Sequence, residues 1–268
     1  MADTKRYAVI DGAIEEGVMD FLAQADVPYC CLYAEPIQPE LVKLAPYLVE
    51  VAPEVEAWLE LKETPWGLFL ISEMSLQKLQ QHLRHFLWVT IPEQEKPVLF
   101  RFYDPRNIGT MIEVMTPRQL SVFTCQLSKI ETGNKGECRE FDFSTTGIPS
   151  PAGLNIFEVT PLKLTRRQYE KLNMQSQENY INELVDFISQ LPVSISAVSV
   201  NHLAEEYLLF CHSYDITDDH SIRQMVKLLI ESNIHNTQDI TDRWLDVLDD
   251  NSKPGYNRVQ ELMTNKGI

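Results

Sequence analysis

Apolar positions recur with two different periods along this chain, and the change from one to the other divides it. In the first part the apolar runs are short and nearly unbroken: YAVI at residues 7–10, CCLYA at 30–34 and WGLFLI at 66–71. Such a run predicts a strand covered on both faces, the usual condition of a parallel sheet. Between the first two runs, Ile14, Val18, Phe21 and Leu22 fall on one helical face within residues 13–25, so the opening predicts a β-α-β unit. Residues 41–52 read as a short helix and an extended piece, and Pro53 then opens a helix carrying Val55, Trp58 and Leu59. Ser75 stands where an N-cap belongs, ahead of a stripe formed by Leu76, Leu79, Leu83, Phe86 and Leu87.

Residues 97–106, PVLFRFYDPR, alternate Val98, Phe100 and Phe102 against Leu99, Arg101 and Tyr103, and Pro105 ends the run. The expectation is a strand well inside the sheet, with Asp104 capping a helix that starts at Pro105. Arg101 is the odd member. A guanidinium in an apolar strand must reach water or a carboxylate, and Asp11 and Asp104 are the acids placed to receive it. Thr116-Pro117 predicts a helix over TPRQLSVFT, and Gly133, Asn134 and Gly136 between two alternating runs predict an antiparallel hairpin at the sheet's edge.

Beyond residue 160 the strand-like runs almost vanish. TRRQYEKLNMQ, ENYINELVDFISQL, LAEEYLLFCHSYD, SIRQMVKLLIES, DITDRWLDVLDD and PGYNRVQELM carry helical spacing and are separated by Pro, Asn, Thr and Asp. The expected fold class is therefore α+β. Residues 1–160 form an α/β lobe around a mixed, largely parallel sheet, and residues 161–268 form a smaller all-helical lobe.

Residues 1–160 hold 13 basic and 23 acidic residues (net -10) and the remainder 10 and 16 (net -6), for a formal charge of -16. Such a surface repels phosphate backbones and no basic run interrupts it, so nucleic acid is not an expected partner. No stretch has the length of a membrane span and the N-terminal residues lack the apolar core of a signal peptide. Stable membrane insertion is not expected, and the cytoplasm is the expected compartment. The five cysteines, at 30, 31, 125, 138 and 211, show no C-x-x-C spacing and are expected as free thiols, with no metal and no cofactor.

Parallel strands in the first lobe would bring Asp11, Tyr33, Ser72 and Asp104 to one edge, where open α/β sheets bind ligands. Capping and turn formation account for Asp11, Ser72 and Asp104 as well, and the chain has no G-x-S-x-G, G-x-x-x-x-G-K or G-x-G-x-x-G. His82 and His85 lack a third ligand at helical spacing and are expected on the solvent side of their helix. Cys211-His212 beside Glu205 and Glu206 reads as a core thiol. No catalytic residue and no metal ligand is assigned. Candidates for partner contact are Tyr33, Trp66 and Arg106 in the first lobe and Tyr207, Phe210, Trp244 and Leu248 in the second. Trp58 and Trp88 are further amphipathic aromatics, and core filling is the ordinary role of each such residue.

A family likeness rests on seven pieces in order: YAVIDGA at 7–13, LYA at 32–34, APYLVEV at 45–51, WGLFLIS at 66–72, LQQHLRHFLWV at 79–89, LFRFYDPR at 99–106 and MTPRQL at 115–120. Over roughly residues 5–125 the chain resembles the conserved domain of the type VI secretion effector chaperones, also called Tap or Tec adaptor proteins. LKLTRRQYEKL continues the pattern less distinctly. The resemblance implies a cytoplasmic, non-enzymatic adaptor whose partners are a secreted effector and the spike protein VgrG, onto which it helps load the effector. It leads to the expectation that the first lobe meets the shared partner and the divergent helical lobe reads the particular cargo. The alternatives are a small-ligand enzyme or binding protein using Asp11, Ser72, Arg101 and Asp104, and a secreted effector, for which the catalytic signature is missing.

Overall fold

Strand β1 (Lys5–Asp11) sets the layout of the first unit. Tyr7 and Val9 point into one apolar layer, Ala8 and Ile10 into another, and all four are wholly buried, which is why YAVI is apolar at every position. The computed structural model describes residues 4–133, 138–144, 162–192 and 197–264. The chain divides into two compact units, Met1–Gln175 and Ser176–Ile268.

Beside β1 lie β3 (Pro46–Glu50) and β4 (Gly67–Ser72), with β2 (Tyr29–Cys31) beyond β3, and β7 (Lys129–Gly133) and β8 (Glu140–Asp142) beyond β4. The order is β2-β3-β1-β4-β7-β8 and every neighbouring pair is antiparallel. The mixed, largely parallel sheet expected from the sequence does not form. Unbroken apolar runs report that both faces are covered, and they carry no information on strand direction. β1 and β2 do run the same way, but β3 is inserted between them, so the β-α-β unit is split. β7 and β8 make the expected edge hairpin, and its turn, with Asn134 and Gly136, lies outside the described residues.

One face of the sheet is covered by α1 (Val18–Gln24) and α3 (Pro53–Glu60), whose Val18, Leu22, Val55 and Leu59 pack on Ala8, Ile10, Tyr47 and Val49. A short α2 (Pro39–Val42) precedes β3 and buries none of its residues. The other face is covered by α4 (Leu76–Arg84), α5 (Ile108–Val114) and α6 (Pro117–Thr124), whose Leu79, Leu83, Ile108, Met111 and Phe123 meet Tyr7, Val9, Leu48, Leu68 and Leu70. Thr116 and Gln119 start α6 with a reciprocal capping box. β4 begins at Gly67 with φ +152°, where a Cβ would come within 1.9 Å of the Val9 carbonyl oxygen, so only glycine fits.

Residues 97–106 also depart from expectation. Only Val98–Leu99 is extended, as β6, at the edge of a small sheet with β5 (Trp88–Thr90) and β9 (Leu162–Lys163). Within that sheet β5 and β9 are parallel. Phe102 and Tyr103 are successive residues and both are wholly buried, which an alternating edge strand does not allow, so the chain turns and sends both rings into the core. Asp104 caps that turn instead of a helix. Its Oδ1 accepts the Arg106 N–H at 3.0 Å, and α5 starts only at Ile108.

The second unit is described as the later part of α7 (Arg166–Ser189), α8 (Ala197–Ser213), α9 (Asp219–Glu231), a 3-10 turn at Thr237–Asp239, α10 (Asp242–Leu248) and α11 (Gly255–Thr264). The division between the units falls inside α7, later than the change of sequence texture near residue 160. Ala204, Tyr207 and Cys211 of α8 pack with Ile222, Met225, Val226 and Leu229 of α9, which Asp218 caps by accepting the Ser221 N–H at 2.9 Å. Arg258 is buried in this unit. Its guanidinium donates to the Leu248 carbonyl at the end of α10 and, at 2.5 Å, to the Tyr214 carbonyl just past α8.

Candidate interaction surface at one end of the sheet

Strand direction decides what shares an end. β1, β2 and β7 finish, and β3, β4 and β8 begin, at the end marked by Asp11. Asp11 is only 2% exposed, and its carboxylate accepts the Ala13 N–H at 3.0 Å and pairs with the Arg101 guanidinium. The Arg101 side chain is 39% exposed, while its Nε is buried without a hydrogen-bond partner. Tyr33 follows β2, and its phenol and that of Tyr103 influence one another. Asp104 holds Arg106 through both oxygens, at 3.0 and 2.8 Å.

Burial pushes the Asp11 carboxyl up from its ordinary value, and Arg101 and the Ala13 N–H pull it back only in part. For Arg101 burial works against the charge, but the Asp11 carboxylate outweighs it and the net direction is up. Burial raises Tyr33 and Tyr103, and the charge of Asp11 adds to both. Both phenols are thus held protonated and neutral and the guanidinium is held charged, which suits all three to donating hydrogen bonds.

Ser72 does not belong to this group. It pairs in register with Lys5 at the opposite end of β1, where its hydroxyl donates to the Gln126 carbonyl at 2.5 Å and accepts the Met74 N–H at 3.1 Å. The expected four-residue edge is therefore broken, because it presumed that β4 runs parallel to β1. Asp11, Tyr33 and Asp104 come together and Ser72 does not.

The other residues singled out by sequence fall into framework and surface. Trp66 is buried, with its carbonyl accepting the Asp11 N–H at 2.8 Å and its indole against Phe69 and over Gly133, where a Cβ would come within 2.3 Å of the ring. Arg106 is half-buried against Asp104. Tyr207 and Leu248 are wholly buried and fill the second unit's core, while Phe210 and Trp244 are half-buried at its margin. Trp58 stacks on Phe21 at 4.5 Å under the Lys62 ammonium. His82 is not solvent-facing as expected. It is buried, its Nε2 lies 2.8 Å from the Phe123 carbonyl, and burial lowers its pKa to about 4. The signal for it was available: residue 82 is three after Leu79 and four before Phe86, both on the apolar stripe. His85 is half-buried.

Among the described residues no group of three or more His, Cys, Asp or Glu is placed to hold a metal ion, and no helix is long and apolar enough to cross a membrane. Sequence reasoning missed three exposed leucines at the Asp11 end, Leu41, Leu44 and Leu61. Leu61 offers a faint signal, since it lies off the Val55–Leu59 face of α3. On the small sheet the cross-strand neighbours Trp88 and Leu99 are also exposed.

Residues 6–122, somewhat under half of the chain, match the model of a family described as "Domain of unknown function (DUF4123)". The matched span runs from β1 into α6. No curated protein and no solved structure matches the chain.

Proposed function

We propose that this chain is a cytoplasmic adaptor that binds a type VI secretion effector and helps load it onto the VgrG spike. The observation that carries the reading is a coincidence of spans: the ordered pieces from YAVIDGA to MTPRQL occupy residues 7–120, and the family match covers 6–122. The family's description assigns no activity, so the adaptor role comes from the resemblance of those pieces. The Asp11 end supports it in a general way, because its charges are engaged with one another and the segments leading into β3 and β4 carry exposed leucines, as suits contact with another protein. A small-ligand role would have to rest on Asp11, Arg101 and Asp104 without Ser72. On the adaptor reading, the first unit meets the spike or a shared effector feature and residues 161–268 read the cargo.

The test is co-expression with the effector and VgrG encoded in neighbouring genes, followed by affinity purification. Both are expected to co-purify with the folded chain, and failure of both removes the adaptor reading. Exchanging residues 161–268 for those of a related adaptor should redirect effector binding and leave spike binding intact. Undiminished binding of the original effector by the exchanged chain would assign cargo reading to the first unit.

A further inference from the structure

An unpaired strand edge is a template for another strand unless something covers or guards it, and three of the four edges of the described sheets are dealt with in that way. On the outer side of β2 the Cys31 carbonyl takes Gln80 Nε2 at 2.7 Å and the Arg84 guanidinium at 3.1 Å. Beside β9 the Lys163 carbonyl takes Gln119 Nε2 at 3.1 Å. β8 exposes the acids Glu140 and Asp142. β6 is different. The Phe100 N–H donates to the Leu87 carbonyl at 2.7 Å, so with Trp88 opposite Leu99 and Val89 opposite Val98, the backbone groups of Val98 and Phe100 face β5. Leu99 therefore turns its N–H and carbonyl outward, where β6 ends the order β6-β5-β9, and among the described residues neither forms a hydrogen bond.

The side chains add an apolar surface at the same point. The register makes Trp88 and Leu99 a non-hydrogen-bonded pair, the closer kind, with Cα atoms about 4.5 Å apart. They share one face and both are exposed, Trp88 at 49% and Leu99 at 42%. An apolar row thus crosses the small sheet and stops at an open backbone edge. An occupant that meets both features offers free backbone groups and an apolar side chain together, as an extended segment does and a helix, whose backbone groups are used internally, does not. Self-pairing is opposed, because Pro97 has no N–H and Lys96 adds charge ahead of a two-residue strand, and each copy carries -16. We propose that an extended segment of a partner protein adds beside β6 as a further strand of the small sheet, with its backbone on the Leu99 N–H and carbonyl and an apolar side chain continuing the Trp88–Leu99 row. This edge does not depend on the adaptor reading, and its test uses neither effector nor spike, so either can fail while the other stands.

In the isotope-labelled full chain, the Leu99 amide is expected to exchange with solvent faster than those of Val98 and Phe100. A synthetic peptide of about eight residues, alternating valine and threonine with one lysine and one glutamate at its ends, is then titrated in and followed by NMR. Saturable shifts are expected at the Leu99 amide and the Trp88 indole. A copy of the peptide N-methylated at every residue keeps the side chains and loses the donors, and should bind about tenfold more weakly or less. Leu99→Pro removes the outward N–H at an edge position that tolerates proline, Leu99→Thr keeps that N–H and removes the apolar side chain, and Trp88→Ala removes its cross-strand neighbour. Each should weaken the unmodified peptide by about tenfold. Leu209→Asp, at a leucine of the second unit that is 71% exposed, should leave binding unchanged. An unchanged thermal midpoint is expected to show that the variants are folded, and the N-methylated peptide tests the same hydrogen bonds on the unaltered chain. A protected Leu99 amide, no saturable shift at Leu99, equal binding of the N-methylated peptide, or undiminished binding by both Leu99→Pro and Trp88→Ala would each overturn the proposal. A dimer that Leu99→Pro dissolves would give the edge to a second copy and overturn it as well.

Discussion

In the first unit Asp11 and Asp104 each meet an arginine and Glu15 meets a lysine, whereas in the second unit Arg258 is buried among carbonyl oxygens, with no carboxylate paired to it among the described residues. The contrast follows from the backbone of each unit. A sheet uses most of its carbonyls in the ladder, so the arginines beside Asp11 and Asp104 meet side chains. Where the ladder stops, at Cys31, Leu32 and Tyr33, carbonyls take a guanidinium, that of Arg84. A helix leaves its last carbonyls unpaired and carrying partial negative charge, and a guanidinium placed between the ends of α8 and α10 satisfies two such sites at once. What counts as a partner for a buried charge therefore depends on which backbone surrounds it.

Removing Arg258 should have the largest effect. Arg258→Ala leaves the Leu248 and Tyr214 carbonyls without their donor and opens a cavity, a loss of about 3 to 4 kcal/mol. Arg258→Lys should recover only part of it, because one ammonium lacks the guanidinium's fork. Urea unfolding read by hydrogen exchange in α8 and α10 measures both, and a loss under 1 kcal/mol would mean that the helix ends do not depend on this side chain.

Acid comes next and acts on the first unit. His82 has a folded pKa of about 4 against an ordinary 6.5, so the unfolded chain takes up the proton first. Stability from this group is intact above the ordinary value and falls as pH drops toward the folded value, by up to roughly 3 kcal/mol. His82→Gln keeps a neutral donor for the Phe123 carbonyl and should flatten the decline. Asp11, whose pKa is raised, works in the opposite direction. Unfolding curves from pH 7 to pH 4 decide whether the slope belongs to His82.

Arg101→Ala should cost least. Breaking a buried pair costs about 3 to 5 kcal/mol, but Arg101 is 39% exposed and water screens the pair, which brings the expectation to about 2. Salt sharpens the comparison, since the Arg101 effect should shrink at high ionic strength and the Arg258 effect should hold. If the two variants respond to salt alike, the distinction between the units is wrong.

Much of the helical structure was legible because caps and periodicity are local. Thr116 and Thr165 both stand ahead of a Gln three residues on, and both pairs exchange the expected hydrogen bonds. For Arg101 the sequence named two acids; the structure selects Asp11 and leaves Asp104 to Arg106. Strand direction was not legible, because YAVI and WGLFLI look alike in a parallel or an antiparallel sheet once both faces are covered. Nor was the turn at Phe102 and Tyr103, where two adjacent rings enter the core against the alternation of the residues before them. Leu44 and Leu61 escaped because an apolar residue in a loop has no periodicity to place it, and Leu41 because the single turn of α2 is too short to show one.

Cys211 gives the second unit a property of a different kind. It is wholly buried in that core, and burial pushes its thiol up to about 12, so at neutral pH it is neither accessible nor ionised. Cys30, Cys31, Cys125 and Cys138 are free thiols of the first unit. An alkylating reagent can therefore reach Cys211 only while the second unit is open. Its labelling rate, divided by that of an unprotected thiol, gives the fraction of time spent open when closing is fast. Mass analysis of the Cys211 peptide would time that opening with no probe added, and the exposed Cys138 in the same sample would mark the reagent's unhindered reach.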